Sequence, residues 1–311
     1  MTTVAVPGAW PVMVTPFRED RSVDLAAIDY LTDWYIDAGA AGLFAVCLSG
    51  EMYELTDDER LAVAQRVVQR SAGRVPVVAS GTFGGPVEEQ AAFVRRMGDT
   101  GVSAVVCIAC QLAGEGEDDV TWRSRLSSLM DETGDIPLGL YECPAPYHRL
   151  ISPDDVRWAA SSGRFLFLKD TSCRIDLITS KIAACRGTPL VFLNAHMATI
   201  LESLQAGGLG CCPVAANFYP SLFVWLCRHG LDHPQQAERL QAYAASAFRA
   251  LRGYPGSAKR YIAMQGVPIG STCRKGKLKF TDEDAKQLEN LREEVLAWER
   301  ELGIGEGEER E

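Results

Sequence analysis

The sequence predicts a (β/α)8 barrel followed by a helical region, on three observations. One phrase, a glycine followed by a short apolar run, recurs eight times before residue 217. Helix start signals lie between the recurrences, and after residue 217 the strand-like runs stop while helical periodicity continues.

The elements follow in order. The first run is "GAWPVMVTP" (8–16), and Leu25, Ile28, Leu31 and Tyr35 then mark one face of a helix. "GAAGLFAVCLSG" (39–50) is the second run, and Thr56 with Glu59 forms a capping box opening the next helix. "GRVPVVASG" (73–81), "GVSAVVCIA" (101–109) and "GDIPLGLYE" (134–142) supply strands 3 to 5. Ser152 and Asp155 then start a helix with Pro153 at its first position. "GRFLFLKD" (163–170), "GTPLVFLN" (187–194) and "GGLGCCPVA" (207–215) complete the set. Each glycine sits where a helix must stop, because it accepts the left-handed conformation at low cost. An unbroken apolar run reads as a strand buried on both faces. This alternation over about 215 residues is that of a TIM barrel. The alternative, an open doubly wound sheet, lacks a G-x-G-x-x-G opening a helix.

The expected organisation is therefore a barrel over 1–217, helices packed on it over 218–303, and a disordered acidic tail over 304–311. The last long helix is "TDEDAKQLENLREEVLAWEREL", with a Thr281/Asp284 capping box and Ala285, Leu288, Leu291, Val295, Trp298 and Leu302 on one face.

Bulk properties narrow the function classes. The 311 residues are 47% apolar, enough for a large core, and the net charge of −10 offers no footprint for nucleic acid or an anionic membrane. Apolar runs fall short of the roughly 20 residues a membrane span needs, and no basic-then-apolar leader opens the chain. Ten cysteines are scattered, with Cys47, Cys107, Cys110, Cys143, Cys211 and Cys212 in apolar strand-like segments, where a thiol acts as a small hydrophobe. A reducing, cytoplasmic location is expected. Cys107 and Cys110, read as one strand, would point to opposite faces, which suits neither zinc nor a redox pair. No metal is expected.

"FLFLKDTS" (165–172) carries the sharpest chemistry: an apolar run delivers Lys169 to the C-terminal end of strand 6. Active sites of such barrels form at that end. Burial disfavours the ammonium form, freeing an amine that can condense with a ketone to a Schiff base. The alternative is a rim lysine paired to Asp170. Tyr141 ends the adjacent strand at the same height, either to move protons or as a structural cap. Ser49 and Gly50 sit between a strand and a helix, where backbone amides can cradle a carboxylate.

Taken together, "VTPF" (14–17), "LSGEMYELTDDER" (48–60), "LYECP" (140–144), "FLKDTS" (167–172) and "GLGCCPVAANFYP" (208–220) resemble the dihydrodipicolinate synthase and N-acetylneuraminate lyase family of class I Schiff-base aldolases. The resemblance implies that Lys169 is the Schiff-base lysine and Tyr141 the general acid/base. It implies that Ser49, with the amides of Leu48 and Ser49 and the turn at Gly50, holds the carboxylate of a 2-oxo acid. Thr15 would support the site from beneath, and Cys212 would supply a backbone contact. It also implies a homotetramer with no metal or organic cofactor.

Several positions depart from the family pattern. Leu48 replaces a relay threonine, and Gln111 and Leu112 stand where paired tyrosines are usual. Pro146 falls in the slot of a substrate-gripping arginine, with Arg149 nearby. His196 and Met197 replace polyol-binding carboxylates, although His196 can reach the distal part of a substrate. The expectation is a lyase, aldolase or dehydratase, acting on pyruvate or a 2-keto-3-deoxy sugar acid. The alternatives are a 2-oxo-acid-binding barrel with reduced catalysis and a true dihydrodipicolinate synthase.

Overall fold

The computed structural model of the chain describes residues 6–276 and 280–305. Every apolar run contributes a strand: β1 Gly8–Ala9, β2 Leu43–Phe44, β3 Val77–Ser80, β4 Ala104–Ile108, β5 Leu138–Tyr141, β6 Phe165–Asp170, β7 Val191–Asn194 and β8 Gly210–Cys211. Neighbouring strands pair in parallel in the order β1-β8-β7-β6-β5-β4-β3-β2. The ring closes just beyond β1. Val12 bridges Phe44, the Met13 N–H donates to the Phe44 carbonyl at 2.9 Å, and the Phe44 N–H donates to the Pro11 carbonyl at 3.0 Å. A closed ring leaves no unpaired sheet edge.

The local signals act as read. Gly101 (φ +88°) and Gly163 (φ +69°) turn the chain out of a helix into β4 and β6, in a region other residues enter at a cost. Thr56 and Thr281 both form complete capping boxes, and the Ser152 hydroxyl accepts the Asp155 N–H with Pro153 in the first turn. Helix Leu25–Asp37 buries Ile28, Leu31 and Tyr35. Leu25 itself is exposed, because the buried stripe begins only at Ala27 and Ile28. Cys110 also departs from the reading. It lies on the helical turn Ala109–Leu112, past the end of β4, and its thiol donates to the Ala145 carbonyl at 3.2 Å.

Aromatic rings fill the barrel interior. Trp10 meets Phe167 at 5.5 Å between centroids, and Phe167 meets Phe44 at 5.4 Å. Gly42 makes room for them, since a Cβ there would lie 2.5 Å from the Trp10 ring.

Helices Pro220–His229, Pro234–Ala250, Gly256–Met264 and Asp282–Glu301 follow the last strand. On the last of these, Leu288, Leu291 and Val295 are buried, while Trp298 and Leu302 pack half-buried against the core. A second attachment is polar. Glu51, in the left-handed region at φ +57°, accepts the buried Lys259 ammonium at 2.8 Å and the N–H groups of Arg274 and Lys275 at 2.7 and 2.8 Å. The C-terminal segment thereby grips the loop after β2. Most of the expected acidic tail, 306–311, lies outside the described residues. Among the described residues no helix is long and apolar enough to cross a membrane.

Candidate active site

Strands β5 and β6 place two reactive side chains together. Tyr141 and Lys169 are register partners at the ends of their strands, and both face inward, 2% and 3% exposed. The Lys169 Nζ lies 4.7 Å from the centroid of the Tyr141 ring and 6.0 Å from that of Phe44. The aromatic interior beneath them forms an apolar floor.

Alternation along a strand sends the next residues outward. Glu142 and Asp170 both meet the ammonium of Lys181, on helix Ile175–Cys185, which donates to Asp170 Oδ2 at 2.7 Å and to Glu142 Oε1. Asp170 is thus the partner of Lys181, which removes the alternative of a rim lysine paired to Asp170. Among the described residues no carboxylate lies within ion-pairing distance of Lys169.

Three thiols and the Tyr141 phenol lie around Lys169 instead. Burial pushes Cys47, Cys143 and Cys212 above the ordinary thiol value, Cys212 to about 12, and the positive charge of Lys169 pulls each partly back. Burial also holds the Tyr141 phenol well above its ordinary value, and the neighbouring Cys143 thiol adds to the rise. Tyr141 therefore keeps its proton until a base forms beside it.

The turn expected to hold a carboxylate is interlocked with β1. Leu48–Gly50 forms one turn of 3-10 helix. The Thr15 hydroxyl donates to the Gly50 carbonyl at 2.8 Å, and a Cβ on Gly50 would sit 2.8 Å from that hydroxyl and 3.0 Å from the Met13 carbonyl. Only glycine fits without displacing Thr15. Ser49 is buried, and the Tyr254 hydroxyl, whose pKa burial raises while Ser49 and Asn217 act to lower it, accepts Asn217 Nδ2 at 2.9 Å. The Asn217 Oδ1 takes the Tyr35 hydroxyl, and its Nδ2 also donates to the Val12 carbonyl at 2.8 Å. Leu48 packs half-buried on the core.

Of the remaining residues, the Cys212 N–H donates to the Asn194 carbonyl at 2.9 Å, which fixes the start of the segment after β8. His196 is tied to its own turn: its N–H donates to Asn194 Oδ1 at 2.8 Å and its Nδ1 pairs with Thr199 Oγ1 at 3.1 Å. Arg149 is engaged on Asp119 Oδ1 at 2.7 Å and on the Glu117 carbonyl at 2.8 Å.

Sequence reasoning missed Tyr254 and the place of Cys143 beside Lys169. Cys143 was legible, because it stands two residues beyond Tyr141 and so shares its face. Tyr254 was not, since nothing local ties the C-terminal region to the turn at Ser49.

A closed barrel in which an unpaired buried lysine and a tyrosine meet at the ends of adjacent strands defines a lysine-dependent Schiff-base lyase. The chain belongs to the dihydrodipicolinate synthetase family, whose model matches residues 5–295. It is 27% identical over 277 residues to the 4-hydroxy-tetrahydrodipicolinate synthase of Gluconacetobacter diazotrophicus, covering 88% of this chain and 92% of the relative. Among solved structures it resembles a monomeric dihydrodipicolinate synthase variant with a TM-score of 0.83 at 18% identity, covering 96% of this chain and 99% of that one. It also resembles the E. coli prophage protein YagE, solved in complex with pyruvate, with a TM-score of 0.82 at 22% identity and coverage of 93% and 98%.

Proposed function

We propose that this chain condenses pyruvate, or another 2-oxo acid, with Lys169 and makes or breaks the adjacent bond through the resulting enamine. The observation that carries this reading is a buried amine with no carboxylate partner among the described residues, beside a buried phenol that holds its proton. The amine attacks the keto carbon, and Tyr141 protonates the departing hydroxyl so that water leaves and the iminium forms. Loss of a proton from C3 gives the enamine. The Ser49 turn, with Leu48, Gly50 and the Thr15 hydroxyl behind it, takes the carboxylate, and Cys212 and His196 border the space beyond.

The second substrate is read from what the site withholds. Pro146 provides no cation, and Arg149 is engaged elsewhere. That favours a neutral or hydroxylated partner, as in cleavage or dehydration of a 2-keto-3-deoxy sugar acid, over dihydrodipicolinate synthesis. We read the working form as a cytoplasmic homotetramer, as the resemblance implies; sedimentation in dilute solution decides, since a relative exists as a monomeric variant.

The test is trapping. Pyruvate followed by borohydride is expected to give one reduced adduct, mapped to Lys169 by peptide mass. An unmodified Lys169 overturns the reading. An adduct without turnover on any 2-keto-3-deoxy acid would mark a binding barrel.

A further inference from the structure

The Leu48–Gly50 turn is held by two distant parts of the chain. From the first strand segment, the Thr15 hydroxyl donates to the Gly50 carbonyl at 2.8 Å. The next residue, Glu51, ends the turn in the left-handed conformation at φ +57° and ψ +39°. Residues other than glycine stay there only where their surroundings over-determine them. Here the side chain supplies the constraint. Glu51 Oε1 accepts the Lys259 ammonium at 2.8 Å, and Oε2 accepts the N–H groups of Arg274 and Lys275 at 2.7 and 2.8 Å.

Lys259 is itself pinned. Its ammonium also donates to the Thr272 carbonyl at 2.7 Å and lies 4.5 Å from the centroid of the Phe17 ring. The Arg274 guanidinium lies 4.7 Å from the same centroid, donates to the Arg21 and Glu54 carbonyls at 3.0 and 2.8 Å, and pairs with Glu59 at 2.6 Å. Residues 272–275 therefore strap the loop after β1 to the loop after β2. Within the turn, the N–H groups of Gly50 and Glu51 are taken by the Cys47 and Leu48 carbonyls at 3.0 and 3.1 Å. Among the described residues no backbone carbonyl takes those of Leu48 and Ser49.

We propose that Glu51, anchored by Lys259, is a positioning residue that aims the Leu48 and Ser49 amides at the carboxylate of the 2-oxo acid. The inference rests on the Schiff-base reading above and ties carboxylate recognition to the C-terminal helices. A turn needed only for closure is served by glycine at the left-handed step. Glutamate accepts the cost of that step and in return gives the turn an anchor. With Gly50 held by Thr15 and Glu51 held by the strap, the two amides are set before the substrate arrives, so little ordering entropy is lost on binding. One carboxylate faces one ammonium, both buried, so the joint orients the amides without a net charge to compete with the substrate.

The experiment labels Lys169 by borohydride reduction in the presence of pyruvate or of acetone, a ketone without a carboxylate. Glu51→Ala alone strands the buried Lys259 ammonium and endangers the fold. Glu51→Ala combined with Lys259→Met removes both charges together, a change that buried pairs commonly tolerate. Wild type is expected to reach half-maximal labelling at a far lower concentration of pyruvate than of acetone. The double variant should need about tenfold or more pyruvate for the same labelling, while its acetone curve stays on that of wild type. Glu51→Gln, which keeps the shape and an oxygen for the Lys259 ammonium, should show a smaller shift of the same kind. Pyruvate and acetone curves displaced by one common factor overturn the inference, since they signify general damage to the site. A pyruvate curve left in place by the double variant overturns it as well, as does a wild type with no preference for pyruvate. A wild type that labels Lys169 with neither ketone overturns the lyase reading and the inference with it.

Discussion

Lys169 and Lys181 are both buried lysines, on or against the same strand, and the protein treats them in opposite ways. Lys181 lies on the outer side of β6, fully buried, with Glu142 and Asp170 on its ammonium. Lys169 lies on the inner side, one residue before Asp170, among three thiols and a phenol. Lys259 is a third buried lysine, and it too has a carboxylate, Glu51. A buried cation with its counterion is a structural joint. One left without a counterion is costly to hold charged, and a chain retains it for the chemistry of its lone pair.

Two substitutions should break this contrast open. Lys169→Met keeps the apolar stem and removes the amine. The expected result is complete loss of the pyruvate adduct and of turnover, with a thermal midpoint unchanged or raised, because an uncompensated buried amine has gone. Residual turnover, or a large fall in the midpoint, would make Lys169 a structural group like Lys181. Next in size, Tyr141→Phe keeps the ring over the lysine and removes only the hydroxyl. It should lower kcat by about 10²- to 10⁴-fold, with the barrel intact by circular dichroism.

The contrast also explains what was legible in the sequence. Lys169 and Tyr141 could be placed because strand alternation and barrel geometry are local rules, and each residue ends an unbroken apolar run. The barrel itself followed from eight glycine-led runs. Lys181 escaped, because it sits in an ordinary helix and its partners come from two different strands. Lys259 escaped for the same reason: its partner Glu51 is 208 residues away along the chain. Side chains that define local elements reveal themselves through period and spacing. Those that join distant elements do so only after the chain has folded, and Asp170 showed the hazard, since sequence adjacency suggested the wrong lysine for it.

Lys181→Met tests the structural half. It strands Glu142 and Asp170 without their cation in a site closed to water. Breaking a buried pair from one side typically costs about 3–5 kcal/mol, measurable by urea unfolding. The substitution should therefore destabilise the chain strongly while leaving the adduct on Lys169 trappable in the folded fraction. Loss of the adduct with stability unchanged would reverse the assignment of the two lysines.

The smallest effect is the pH dependence of the outer triad. Two carboxylates meet one ammonium there, so with every group charged the cluster carries an excess negative charge. Burial pushes Glu142 from 4.5 to about 7, and the neighbouring Asp170 adds to the rise, while Lys181 opposes it. The proton belongs to the triad as a unit. Between those two values the folded chain holds a proton that the unfolded chain has released. Stability must then fall as pH rises through that window, by up to about 1.4 kcal/mol per pH unit, and level off above it. Glu142→Gln removes the titrating group while keeping a carbonyl oxygen for Lys181, so its unfolding free energy should vary less steeply over the same range. The difference between the wild-type and variant curves isolates the triad from other titrating groups. Parallel curves would mean that the triad keeps the same protonation folded and unfolded, and that Lys181 neutralises its two carboxylates more completely than one ammonium should.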